Sequence, residues 1–501
     1  MGKLKLIVDT VMSIDPAADA LEFDGIWRSW GELTTIIGAI EDLLRTNDIP
    51  TGTRIGGVLR NRPEIAAAII GTICGDRCLV TLNPALPDDK LSADIEKLKT
   101  PVIFALTQDW QRDAVRHAVE KSGALGIEIT GDPAQPARVI LPKSGSGFDS
   151  DAAGIGIEML TSGTTGTPKR VPLKAANFEK MILDAAVFEK NRDVNAPPKL
   201  SEGVSILNTP FAHIGGIFGL FVTVSAGRKG CMLERFRVDD FVDAVRRHRP
   251  RVAGAPPSAL RMILDADVPP KALSSLVAFR TATAPLDPHL ADQFTERFGI
   301  PVLQNYGATE FAGGVAGWTL SDYRKYGKTR RGSVGRMNPG ISARVVSQEG
   351  GSPLPYGEKG LLELKAKHLG DGENWVRTTD LARMDEENFL WILGRADNAI
   401  IRGGFKIIPD DVVKAIESHP DVLEACVIAL PDERLGQVPA AGYRVRSGHS
   451  LTDDALRTYL RERLTGYQVP ARLLQVADFP RTPSMKPSQP ELRKLFEAEA
   501  L

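Results

Sequence analysis

Met159-Leu160-Thr161-Ser162-Gly163-Thr164-Thr165-Gly166-Thr167-Pro168-Lys169 is the stretch of this chain best suited to chemistry. Two apolar residues lead into hydroxyls and glycines, and a lysine closes the run. Glycines free the backbone to turn N–H groups inward, hydroxyls add donors, and the lysine adds positive charge. A polyphosphate needs that combination. The loop is not a Walker motif, because the spacing from Gly163 to Lys169 is wrong and no glycine directly precedes the lysine. A Ser/Thr/Gly surface turn has the same composition, and for an isolated tract it would be the better reading.

What reverses that preference is a resemblance. The segment resembles the phosphate-binding loop of the adenylate-forming superfamily of acyl-CoA synthetases, peptide-synthetase adenylation domains and beetle luciferases. The overall pattern is closest to acyl-CoA ligases. Further matches follow in the family's order from about Trp30 to Leu495, nearly the whole chain. The resemblance implies that Thr161, Ser162, Gly163, Thr164, Thr165, Gly166 and Lys169 hold the phosphates of ATP. Asn305-Tyr306-Gly307-Ala308-Thr309-Glu310 resembles the adenine and metal motif. There Tyr306 offers a flat apolar face to a purine, Thr309 a hydroxyl to the α-phosphate, and Glu310 a hard oxygen ligand to magnesium. Asp380, in Trp375-Val376-Arg377-Thr378-Thr379-Asp380-Leu381, matches an aspartate that accepts from both hydroxyls of a ribose, and Arg395 a second ribose contact. Thr281-Ala282-Thr283-Ala284-Pro285-Leu286 corresponds to a segment that is normally Ser-Gly-Gly-Ala-Pro-Leu and lies against adenine and the substrate carboxylate. That assigns Thr283 and Ala284 to the site, with Ala282 and Thr283 narrowing the pocket.

Phe479-Pro480-Arg481-Thr482-Pro483-Ser484-Met485-Lys486 resembles the family's C-terminal lysine motif. The resemblance brings Lys486 to the substrate carboxylate and α-phosphate, where a mobile cation offsets charge building on phosphorus oxygens. Asp397 takes the hinge position. Rotation there is expected to replace Lys486 by the face that carries Gly403 and Gly404, whose lack of side chains lets a pantetheine arm pass close to backbone. His213 takes the position of the gate to the acyl pocket and is a candidate base for the thiol. No aspartate lies between Asn208 and Phe221 to pair an amino-acid ammonium, which favours an uncharged acyl tail. Gly215, Gly216, Gly219 and Ala312-Gly313-Gly314 are expected to leave volume for it. Arg170, Thr379 and Met485 stand where the family usually has glycine, and only ten residues separate Leu364 from Trp375, where relatives often carry a longer loop.

Positioning these groups takes alternating helical and strand patterns, hence an α/β fold. The spacing predicts a helix over Glu32–Leu44, a strand over Arg54–Leu59, a helix over Pro63–Gly71 and a strand over Cys78–Leu82. Helix Val238–His248, strand Arg251–Gly254 and helix Pro257–Leu264 repeat the pattern. After Gly394 it becomes a compact α+β arrangement: strand Ile400–Ile401, helix Pro409–Ser418, strand Val422–Leu430, helix Thr452–Leu464. The expected organisation is a large domain of layered sheets and helices, 1–396, that binds ATP and acyl group, and a small mobile α+β domain, 397–501.

The 501 residues suffice for two such domains, and 43% hydrophobic with 25% charged residues is a soluble globular composition. A net charge of -1 gives no grip on nucleic acid or an acidic membrane. Of the four cysteines only Cys74 and Cys78 are close, with no further pair or nearby histidine to complete a zinc set, so buried reduced thiols in a cytoplasmic protein are expected. The N-terminus lacks a signal-peptide pattern, and no apolar run is long enough for stable membrane insertion. The expected function is an AMP-forming acyl-CoA ligase using ATP, magnesium and coenzyme A on an apolar carboxylic acid. Transfer to a carrier-protein thiol and a degenerate nucleotide-binding module are the competing readings, and a homodimer is compatible with all three.

Overall fold

A computed structural model describes residues 2–161, 169–188, 193–282, 284–308, 311, 313–367, 369–370, 372–396, 399–402, 405–432, 435–482 and 485–499. Its centre is a seven-stranded sheet ordered Ala137–Leu141, Leu125–Ile129, Val102–Leu106, Arg54–Val58, Cys78–Leu82, Ile155–Thr161, Lys169–Lys174. The five inner strands are parallel and both edge pairs are antiparallel. Strands buried on both faces read as near-continuous apolar runs; Val102–Leu106 is wholly apolar and Cys78–Leu82 is interrupted only by Thr81, with every residue buried.

A second sheet of nine strands begins with Val252–Gly254, Ala278–Thr281 and Val302–Ala308 in parallel. It continues antiparallel through Gly313–Gly317, Gly335–Met337, Phe389–Arg395, Val376–Met384, Gly360–Lys365 and Ser342–Val346. A four-stranded sheet (Ser201–Leu207, Arg228–Met232, Asp19–Phe23, Ile26–Ser29) completes this part. Beyond Ala396 a separate five-stranded sheet is built from Ile400–Arg402, Phe405–Ile407, Val422–Asp432, Gly436–Val445 and Arg472–Gln475, packed by helices Pro409–Glu417, Asp453–Arg461 and Gln489–Ala498. The α/β class with a large N-terminal and a smaller C-terminal domain is therefore observed.

Helix Val238–His248 and strand Cys78–Leu82 lie where their periodicity puts them. The helix expected over Glu32–Leu44 starts at Trp30, two residues earlier. Ser29 accepts from the Glu32 N–H, and the Glu32 carboxylate accepts from the Ser29 N–H, so the pair forms a capping box. Helix Pro63–Cys74 is apolar almost all round and runs buried beneath the central sheet, with Pro63 in its first turn. All four cysteines are buried free thiols, each pushed up to about 12 by burial. Among the described residues no helix is long and apolar enough to cross a membrane.

Candidate active site

One cleft of about 5120 Å³ runs between the large domain and the small one. His213, Ala284, Asn305, Tyr306, Gly307, Asp380, Arg395 and Lys486, all singled out in the sequence, line it together. Thr161 and Lys169 are direct partners across the antiparallel strands Ile155–Thr161 and Lys169–Lys174. The glycine- and threonine-rich run between them, with Ser162, Gly163, Thr164, Thr165 and Gly166, lies outside the described residues. So do Thr283, Thr309, Glu310, Asp397, Gly403 and Gly404.

Strand pairing brings together the two residues expected at the ribose. Asp380 and Arg395 are direct partners on adjacent antiparallel strands, so their side chains share a face. The Tyr306 hydroxyl donates to the Asp380 carboxylate, tying the third strand to that pair. Arg395 Nη2 donates to Thr379 Oγ1 at 2.5 Å. Thr379, standing in place of the family's glycine, therefore supplies an acceptor that orients the guanidinium. Asn305 Oδ1 is buried with no hydrogen-bond partner among the described residues. A buried acceptor without a donor is rare, and an exocyclic amine such as that of adenine would satisfy this one.

Lys486 sits where both domains wall the cleft, while its side chain still meets water. Loss of hydration first, and the neighbouring Arg395 second, hold its ammonium below the usual lysine range; Asp380 opposes them. Asp410, in the first turn of helix Pro409–Glu417, was not singled out by sequence. Burial raises its carboxyl above the usual range, Asp380 adds to the rise, and it also lines the cleft. Its signal, an acid at a helix N-terminus, is indistinguishable from an ordinary helix-stabilising residue.

The glycines expected to leave acyl volume divide. A Cβ on Gly216 would meet Pro210 O at 2.3 Å, and one on Gly313 would meet Met181 Sδ at 2.5 Å. These two serve close packing, which corrects the expectation. Gly215, Gly219 and Gly314 have nothing nearer than 3.5 Å and do leave space. His213 precedes helix Ile214–Ser225 at the cleft wall.

Two further groups explain themselves without a ligand. Arg170 makes a bidentate pair with Asp94 (2.8 and 2.8 Å) and reaches Thr81 O at 3.3 Å, tying strand Lys169–Lys174 to helix Asp88–Leu98. Glu22, Cys231 and His248 also converge, a triad invisible in their spacing. Arg247 supplies the positive charge there: its Nη1 lies 2.5 Å from Glu22 Oε1 and 3.0 Å from His248 Nε2. The triad is an ion-pair cluster around a buried carboxylate.

Comparison with known proteins places this geometry. Residues 9–372 match the model of the AMP-binding enzyme family, and residues 412–486 that of the AMP-binding enzyme C-terminal domain. A 2-succinylbenzoate–CoA ligase from Bacillus velezensis is 28% identical, with 89% of each chain covered. A sulfoacetate–CoA ligase from Cupriavidus necator is also 28% identical, over 91% of this chain and 90% of that one. Among solved structures, ATP-bound MatB from Rhodopseudomonas palustris superimposes with a TM-score of 0.81 at 22% identity, covering 99% of both chains.

Proposed function

Because the chain belongs to the AMP-binding enzyme family, and relatives it matches over most of their length are CoA ligases, we propose that it activates an apolar carboxylic acid as the acyl-adenylate and passes the acyl group to coenzyme A. The observation that carries this reading is the meeting of eight sequence-assigned groups, drawn from His213 to Lys486, in one cleft.

In the first step a carboxylate oxygen bonds to the α-phosphorus of ATP, the bond to the β-phosphate oxygen breaks, and pyrophosphate leaves. Lys486 draws the two anions together, and Asp380, Arg395 and Tyr306 hold the nucleoside. Thr309 and the donors from Thr161 to Lys169 face the phosphates. Glu310 would hold a magnesium ion, which would neutralise phosphate charge. In the second step the coenzyme A thiol gives up its proton and attacks the acyl carbon, releasing AMP. Asp397 is the hinge between domains 1–396 and 397–501, Gly403 and Gly404 line the pantetheine path, and His213 gates the acyl pocket.

Pyrophosphate and AMP release across a panel of carboxylic acids, with and without coenzyme A, tests this. Apolar acids are expected to give AMP, and thioester only with coenzyme A. Cleavage to ADP, or no AMP with any acid, overturns the reading. The relatives named for 2-succinylbenzoate and sulfoacetate take acids with a second anionic group, so preference for such acids would overturn the apolar assignment alone. Lys486→Ala is expected to slow adenylation ~100-fold while thiol transfer from preformed acyl-adenylate persists. Equal loss of both steps would rule out a lysine that serves only the first.

A further inference from the structure

The loop that presents Lys486 is held by a contact none of the expected motifs includes. Arg481 donates to both oxygens of Glu424, on the neighbouring strand Val422–Asp432, at 3.0 and 2.6 Å. The same guanidinium donates to the Met485 carbonyl at 3.1 Å. Around it the Thr482 N–H donates to Lys486 O, and the Met485 N–H to Thr482 O. Arg481 and Glu424 are 17% and 15% exposed, a sheltered bidentate pair. Met485 meanwhile has φ 65°, the left-handed region that an L side chain disfavours, at the position where glycine is usual. Such a conformation persists only when its surroundings over-determine it.

We propose that Glu424 is a positioning residue for adenylation: through Arg481 it pins the Met485 carbonyl, locks the strained turn, and so aims Lys486 into the cleft. The proposal rests on the reading of Lys486 given above. Arg444, opposite Glu424 on the adjacent strand, keeps that carboxylate in place at 3.4 Å. Without the pair, Met485 relaxes out of the left-handed region and carries Lys486 with it.

The test separates the half-reactions in the full-length enzyme. Glu424→Gln and Arg481→Lys are each expected to lower the rate of acyl-adenylate formation on the order of tenfold. The rate of thioester formation from preformed acyl-adenylate should change less than about twofold, since only the first step uses the lysine. Adding Met485→Gly to Glu424→Gln should recover most of the lost rate, because glycine holds the turn without the staple. In the otherwise unaltered chain Met485→Gly should leave the rate nearly unchanged. Wild-type adenylation in both staple variants, parallel loss of both half-reactions, or no recovery by the added glycine overturns the proposal. If Lys486→Ala itself adenylates normally, the reading of the lysine fails, and that result is distinct from each of these.

Discussion

Met485 is a residue whose cost is visible in one angle. A left-handed φ of 65° at a non-glycine position disfavours the folded chain by roughly 1–2 kcal/mol, and glycine removes that term while adding unfolded-state entropy. Met485→Gly is therefore expected to stabilise the protein by about 1 kcal/mol or less, read as a rise in the urea midpoint; a fall would mean that the methionine side chain packs for more than the turn costs. At the same scale, Lys486 is held below the usual lysine range by burial and then by Arg395. Its charged form, the one the proposed adenylation step uses, is lost earlier as pH rises. The alkaline limb of the adenylation pH profile is expected below the ordinary lysine range, and Arg395→Gln, which removes the second cause, should move it upward. A limb that stays fixed in Arg395→Gln would separate the two residues.

Elements explain departures that single residues leave puzzling. Arg170 breaks the glycine pattern after the expected phosphate-binding run, yet its side chain pairs with Asp94 at 17% and 13% exposure and approaches Glu158 at 4.0 Å. Glu158 in turn binds Arg54 at 2.6 Å. The arginine thus braces strand Lys169–Lys174 against helix Asp88–Leu98. Arg170→Gly, which restores the family pattern, is expected to cost roughly 2–3 kcal/mol of stability while the KM for ATP changes little. A large rise in that KM with unchanged stability would place the side chain in the nucleotide site instead. Much of this layer was legible in the sequence. Period and turn residues located helix Val238–His248, and a short, largely apolar run located strand Cys78–Leu82. Helix Trp30–Thr46 begins two residues before the expected start because its capping box opens ahead of the apolar stripe. The Tyr306–Asp380 contact joins residues 74 apart, and Asp410 reaches the cleft from another domain; neither pairing leaves a local trace. Gly216 and Gly313 misled for the same reason, since composition does not say whether a missing side chain makes room for a ligand or for backbone and Met181.

Across the whole molecule, the two domains meet through charge. Lys90 of the large domain lies 3.7 Å from Glu491 of the small one. Deeper in, Glu417 ends helix Pro409–Glu417, accepts from the Ala425 N–H at 2.9 Å, and feels Arg261 and Asp287 of the large domain together with Glu424. Burial is the main cause that pushes its carboxyl from 4.5 up to about 7, with the Ala425 bond and Arg261 opposing, and Asp287 and Glu424 adding to the rise. The folded protein therefore holds this proton when the unfolded chain has released it. Stability from that preference is complete below pH 4.5, drains as pH climbs toward 7, and is gone above it. The side chain is only half-buried by surface, so the effect is discounted to on the order of 1 kcal/mol. Glu417→Gln keeps the acceptor for Ala425 and abolishes the titration. Urea midpoints of the variant and the parent are expected to agree at pH 4.5 and below, with the variant the more stable at pH 8. The opposite order at pH 8 would mean that the ionised carboxylate pairs with Arg261 strongly enough to outweigh its lost hydration. In that case the charge would fasten the domains together in the arrangement that brings Lys486 to the cleft.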